Sequence, residues 1–313
     1  MQIRGFRGVW ALWVVLAFAV VSVGQSTRNT EMKPTGKGWG VQVTKPAHRQ
    51  GAPAVTTGNG INYHGGPIMP GTPNIYYIWY GTWDASGAHL TNRTSDSPST
   101  QSLLNHLITG LSGSSYEHIN TTYGDNSANV SGFMALGTSV SDAYSRGSVL
   151  LDSDIQAIVA AHAGTDLPKD TNGIYFVLTS SDVVEATGFC AVYCGWHTSA
   201  TINGADLKFS FVGNPDQCPM ACEAQTTSPN NNSGADGMAS VIAHESEEAF
   251  TDPDLNAWYD SSGNENADKC AWTFGSTSTA SNGSKYNITL GGTNYLIQRN
   301  WVNASGGYCS MSF

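Results

Sequence analysis

Apolar positions along the chain follow several spacings, and each predicts a different element. Asn74-Ile-Tyr-Tyr-Ile-Trp-Tyr80 is an unbroken run of β-branched and aromatic residues, the pattern of a strand buried on both faces. Residues 173–179 and 207–212 repeat it and predict two more strands. Within 100–111, apolar side chains fall at 103, 104, 107, 108 and 111, which is helical spacing. A second helix is expected over 152–163, capped by Asp152 or Ser153, with Ile155, Ile158 and Val159 facing inward. A third begins near Asp236 and carries Met238, Val241, Ile242 and Ala249. After it come shorter pieces, 285–290 and 294–298. Strands alternating with helices predict an α/β (α+β) domain, a mixed sheet with packed helices.

Two N-terminal stretches stand outside that pattern. Arg4 and Arg7 precede an apolar run over residues 9–23 that ends in small residues, which reads as a signal peptide of residues 1–24. The run falls short of the roughly 20 residues needed to span a bilayer, so no membrane partner is expected after cleavage. Residues 25–58 have no hydrophobic period and are rich in Thr, Gly, Lys and Pro, as expected of a flexible leader. The folded domain is placed at 59–313.

Composition sharpens this picture. With 40% hydrophobic residues the chain can bury a core, and at 12% charged it spends few charges. The net charge of −10 becomes −12 once Arg4 and Arg7 are removed, which argues against nucleic acid as a partner. All six cysteines (Cys190, Cys194, Cys218, Cys222, Cys270 and Cys309) lie beyond the signal, so the expected setting is secreted, extracellular or periplasmic, with up to three disulfides. The expected pairs are Cys190–Cys194, Cys218–Cys222 and Cys270–Cys309, among 15 connectivities that six cysteines allow. A zinc site made of the two C-x3-C pairs is the competing reading.

The sparse charges concentrate in one place, His244-Glu245-Ser246-Glu247-Glu248. On a helix His244 and Glu248 lie one turn apart on the same face, where both can hold one zinc ion. Glu245 beside them can take a proton from a metal-activated water. This is the H-E-x-x-H arrangement of zincin peptidases with Glu in place of the second His. Downstream, Glu265 is the expected third ligand and Asp268 a residue that orients a ligand histidine, because the Asn264-Glu265 pair is similar to the second-helix segment of gluzincins. His197 is the alternative third ligand. A calcium site from Asp252, Asp254, Asn256 and Asp260 is the weaker metal reading: the spacing opens like an EF-hand, but Ala257 stands where Gly is required and Gly263 where the terminal Glu would be.

A family resemblance rests on Tyr63-His64-Gly65-Gly66-Pro67, Trp79-Tyr80-Gly81, Cys194-Gly195-Trp196-His197, Phe211-Val212-Gly213-Asn214 and Gln217-Cys218-Pro219-Met220-Ala221-Cys222. Together they resemble the EXORDIUM family of phosphate-induced proteins. The form matched is bacterial and secreted, with H-E-x-x-E-A-x-T-D-P and then Trp258, Asp260, Gly263 and Glu265. The resemblance implies secretion; its plant members are implicated in cell expansion at the cell wall. The expectation is therefore a disulfide-stapled, zincin-like domain acting as a zinc-dependent metallopeptidase on extracellular peptide or protein. The alternative is a non-catalytic protein that binds cell-wall polymer or signals growth.

Overall fold

Central strands must satisfy their backbone on both sides and bury both faces, and the runs of largest apolar content take those places. The computed structural model describes residues 1, 32–37, 59–84 and 95–313. Apart from Met1, the signal peptide expected at 1–24 lies outside the described residues, as does most of the leader expected at 25–58.

Five strands form the main sheet: β1 (Asn74–Tyr80), β2 (Ala135–Asp142), β3 (Gly173–Thr179), β4 (Gly195–Ile202) and β5 (Ala205–Val212). Their order is β2-β1-β3-β5-β4. The first four are mutually parallel, and β4 runs antiparallel to β5 through a tight hairpin. Between Ile75 and Tyr77 the register with β2 shifts from Leu136 to Ser139, so β2 carries a bulge. β3 is buried along its whole length and β1 at all but its first residue.

Three helices complete the frame: α1 (Pro98–Leu111), α2 (Asp152–His162) and α3 (Ser233–Thr251). α3 packs on β4, β5 and α1, while α2 packs on β3 and β5. At α2, neither Asp152 nor Ser153 is the cap. Leu151 holds that position, and the Asp154 carboxylate accepts its backbone N–H at 2.9 Å. α3 starts earlier than its apolar pattern suggests, because Asn232 caps it by accepting the Ala235 N–H at 3.2 Å. It ends at Thr251, before Asp252-Pro253, as proline geometry requires.

Two strands escape the hydrophobic pattern. β2 is rich in Ser, Gly and Thr, and β4 occupies part of the region between the strands expected at 173–179 and 207–212. After α3 the chain forms short antiparallel pairs, 278–279 with 285–286, 288–290 with 293–295, and 300–302 with 308–310. Among the described residues no helix is long and apolar enough to cross a membrane.

The disulfides differ from the expected local pairs. Cys190 joins Cys218 and Cys194 joins Cys222, each across 28 residues, while Cys270–Cys309 forms as expected. The loop before β4 is thus tied to the turn ahead of α3. Spacing along the chain favours a local bridge, but the sheet sets these two segments side by side. All six cysteines are bridged, so the two-pair zinc reading has no thiols to use.

Candidate metal centre

α3 is a helix buried on every side: Gly234 through Thr251 all lie inside. Its acidic run is therefore not a solvated face. Glu247 points toward Glu117 and Asn300, whereas His244, Glu245 and Glu248 point toward β4 and the segment holding Glu265 and Asp268.

The six residues singled out in the sequence meet in one buried cluster, none more than 7% exposed. His244 Nε2 lies 3.0 Å from Glu248 Oε1 and 3.5 Å from Asp268 Oδ1. His197 Nε2 lies 3.2 and 3.3 Å from the two Glu265 oxygens and 3.7 Å from Glu248 Oε2. Glu265 therefore faces His197, and Asp268 is the carboxylate beside His244. Ligand atoms of His197, Glu245 and Glu248 come within 4.8 Å of one another, as do those of His244, Glu248 and Asp268.

Local structure explains the convergence. Gly195 lets β4 approach α3: a Cβ there would sit 2.6 Å from Val241 Cγ1 and 3.2 Å from Glu245 Oε1. Two residues later on the same strand comes His197. The Cys194–Cys222 bridge holds the start of β4, and Cys270–Cys309 anchors the helical turn Asp268–Cys270. The Asp268 N–H donates to Glu248 Oε1 at 3.0 Å. Gln298 was not foreseen: its Oε1 lies 3.3 Å from His244 Nδ1 and accepts the Trp272 N–H at 3.0 Å. A donating Nδ1–H there leaves the Nε2 lone pair directed at the cluster. The only sequence hint was a polar residue closing the Tyr295-Leu296-Ile297 run.

Electrostatics point the same way. Burial depresses the His197 imidazole to about 3, so it is neutral and able to coordinate. Burial also works against charging His244, but the Glu248 charge and hydrogen bonds to Asp268 and Glu248 outweigh it and raise that ring. Burial, reinforced by Asp268, lifts Glu248 to about 7. Glu245 and Glu265 are raised too, first by burial and then by neighbouring carboxylates, with His244 partly offsetting the rise at Glu245. No Lys or Arg pairs with these three glutamates among the described residues. Glu245 Oε2, Glu248 Oε2 and His197 Nδ1 have no hydrogen-bond partner there. Buried, unpartnered carboxylate oxygens beside the neutral His197 imidazole, with His244 held against Glu248, are a donor set a divalent cation satisfies, so the residues fit a metal ion.

Some oxygens of the calcium candidates have protein partners, while Asp252 Oδ2, Asp254 Oδ1 and Asn256 Oδ1 accept no hydrogen bond among the described residues. Asp252 Oδ1 accepts the N–H groups of Asn256 and Ala257, both at 2.6 Å. Asp260 binds Asn264, the Ser262 N–H and Lys269, and Asp254 lies 3.5 Å from Lys208.

Part of the leader lies across the His197 side. Residues 32–37 run from Ser261, where the Met32 N–H donates, to β4, where the Gly36 carbonyl accepts the His197 N–H at 3.1 Å. Gly36 has φ +67°, and a Cβ on it would lie 1.9 Å from the His197 carbonyl oxygen. Lys37 pairs with Asp152 and stands over the rings of Tyr193 and Trp196.

These features define a disulfide-tied α/β protein with a buried histidine–carboxylate cluster. Residues 61–309 match the family model described as the phosphate-induced protein 1 conserved region, and the chain belongs to that family. It is 30% identical to Protein EXORDIUM-like 3 of Arabidopsis thaliana over 283 residues, covering 80% of this chain and 82% of the relative. Protein EXORDIUM-like 5 of the same plant is 33% identical, covering 64% of this chain and 59% of the relative. Protein PHOSPHATE-INDUCED 1 of Nicotiana tabacum is 28% identical, covering 64% and 67%. No solved structure gives a significant match.

Proposed function

We propose that this chain is a secreted zinc-dependent hydrolase that cleaves peptide bonds in extracellular protein. The observation carrying this reading is the H-E-x-x-E turn of α3, whose His244 and Glu248 converge with Asp268. A helix that presents such a turn beside a sheet is also the arrangement that motivates the zincin-like assignment. A bound zinc ion would polarise the substrate carbonyl and acidify water. His244 and Glu248 would hold the ion. Gln298 fixes the His244 ring, and Glu245 takes the proton from the attacking water and returns it to the leaving amine. The raised affinity of Glu245 for a proton suits that exchange.

Burial of the cluster and the cover that residues 32–37 lay over His197 favour a second reading, in which the ion is structural and the protein binds wall polymer without catalysis. Cleavage of a fluorogenic peptide library separates the two. The hydrolase reading expects turnover that Glu245→Gln lowers by about 10²–10⁴-fold with metal content unchanged. No cleavage by the metal-loaded parent, or equal rates in parent and variant, would overturn it.

A further inference from the structure

The two histidines do not share a single coordination point. Ligand atoms converge in two trios, His197–Glu245–Glu248 and His244–Glu248–Asp268, with only Glu248 in common. Its oxygens face opposite ways: Oε1 is 3.0 Å from His244 Nε2, and Oε2 is 3.7 Å from His197 Nε2. Ligands bound at ~2.1 Å and set at a tetrahedral angle stand about 3.4 Å apart. The His244–Asp268 separation of 3.5 Å and the His197–Glu265 separations of 3.2 and 3.3 Å match that edge length on both sides.

A second observation comes from the oxygens left without partners. An ion on the His244 side satisfies Glu248 Oε1, yet Glu248 Oε2, which lies toward His197, and Glu245 Oε2 remain buried and unpartnered. A syn–syn bridging carboxylate commonly spans two ions roughly 3.5–4 Å apart, the spacing of two-metal hydrolytic centres.

We propose that the cluster is a dinuclear centre for divalent transition-metal ions, bridged by Glu248. One ion is held by His244, Asp268 and Glu248 Oε1, the other by His197 and Glu248 Oε2, with Glu265 beside the His197 ring. Glu245, the third member of the His197 trio, remains the proton acceptor between them. This proposal deepens the hydrolase reading and shares its site, but it concerns stoichiometry and bridging rather than activity.

The test is elemental analysis of the full secreted chain after loading with zinc and removal of loosely held ions, beside His197→Ala and His244→Ala checked for folding by circular dichroism. Two zinc ions per parent chain, and one in each variant, are expected. A single ion that vanishes equally in both variants would overturn the proposal while leaving a mononuclear hydrolase standing. Manganese loading of the parent gives a readout that needs no variant. The electron paramagnetic resonance spectrum should show an exchange-coupled pair, and only isolated-ion signals would count against it. Two ions without peptide cleavage would uphold the dinuclear centre and sink the peptidase reading; no bound metal would sink both.

Discussion

Gly195 and Glu117 show how single residues set the terms for the cluster. A methyl group at 195 would press on Val241 and on the β5 backbone, 2.8 Å from the Phe211 carbonyl oxygen. Gly195→Ala should therefore force β4 outward, costing about 1–3 kcal/mol in a thermal or denaturant melt and weakening metal retention through His197. Glu117 sits behind α3, hydrogen-bonded to Glu247 and to Asn120 Nδ2 at 3.0 Å. Burial raises it from 4.5 to about 7, although those hydrogen bonds pull the other way. A carboxyl that is more basic in the folded state supports folding fully below its unfolded value. That support, on the order of 3 kcal/mol, is lost as the pH rises through the folded value. Melting temperature measured from pH 5 to 8 should fall less steeply in Glu117→Gln than in the parent. At this scale the sequence was informative about which residues carry chemistry, since scarce charges gathered at 244–248 are conspicuous. It could not show that Glu265 meets His197 or that Gln298 steers His244, because both contacts bridge segments more than fifty residues apart.

Elements sort by how much of their own stability the sequence displays. β1, β3 and α1 are legible because apolar content alone specifies them. β4 is not: Gly195-Trp-His-Thr-Ser-Ala-Thr-Ile202 becomes a strand by pairing with β5, and its polar side chains are admitted because it lies at the sheet edge. α3 is legible as a helix, yet its burial on all sides comes from the layers around it rather than from its own pattern. The segment 32–37 meets β4 at Gly36 beside His197 and leaves Met32, Lys33 and Thr35 exposed, so it should open more readily than the sheet. Truncation of the chain through Lys37 should speed metal loss to a chelator such as EDTA, followed by a zinc-sensitive dye. Gly36→Val should give the same direction, because both its φ and the His197 carbonyl oppose a side chain there. Unchanged exchange in both would mean that ions reach the cluster by another route.

Across the whole molecule, the bridges and the buried carboxylates divide the task of holding the site. Two parallel disulfides fasten the loop before β4 to the turn ahead of α3, and the third fastens the Asp268–Cys270 turn to the C-terminal hairpin. Replacing Cys194 and Cys222 together by Ala should lower stability by about 2–5 kcal/mol and loosen His197 before His244, seen as loss of one part of the bound metal. The layered α/β architecture and the Cys270–Cys309 bridge followed from the sequence, but the pairing of Cys190, Cys194, Cys218 and Cys222 did not, since it depends on which strands become neighbours. The bulge in β2 bears on how the protein behaves when many copies are crowded together. β2 ends the sheet, and a flat outer strand would offer its free backbone to the next molecule. The extra residue around Gly137 and Thr138, with hydroxyl side chains at Thr138, Ser139 and Ser141, breaks the even spacing that such strand addition needs. The bulge therefore disfavours strand addition at this edge, and deleting Thr138 should yield a chain that scatters light on concentration.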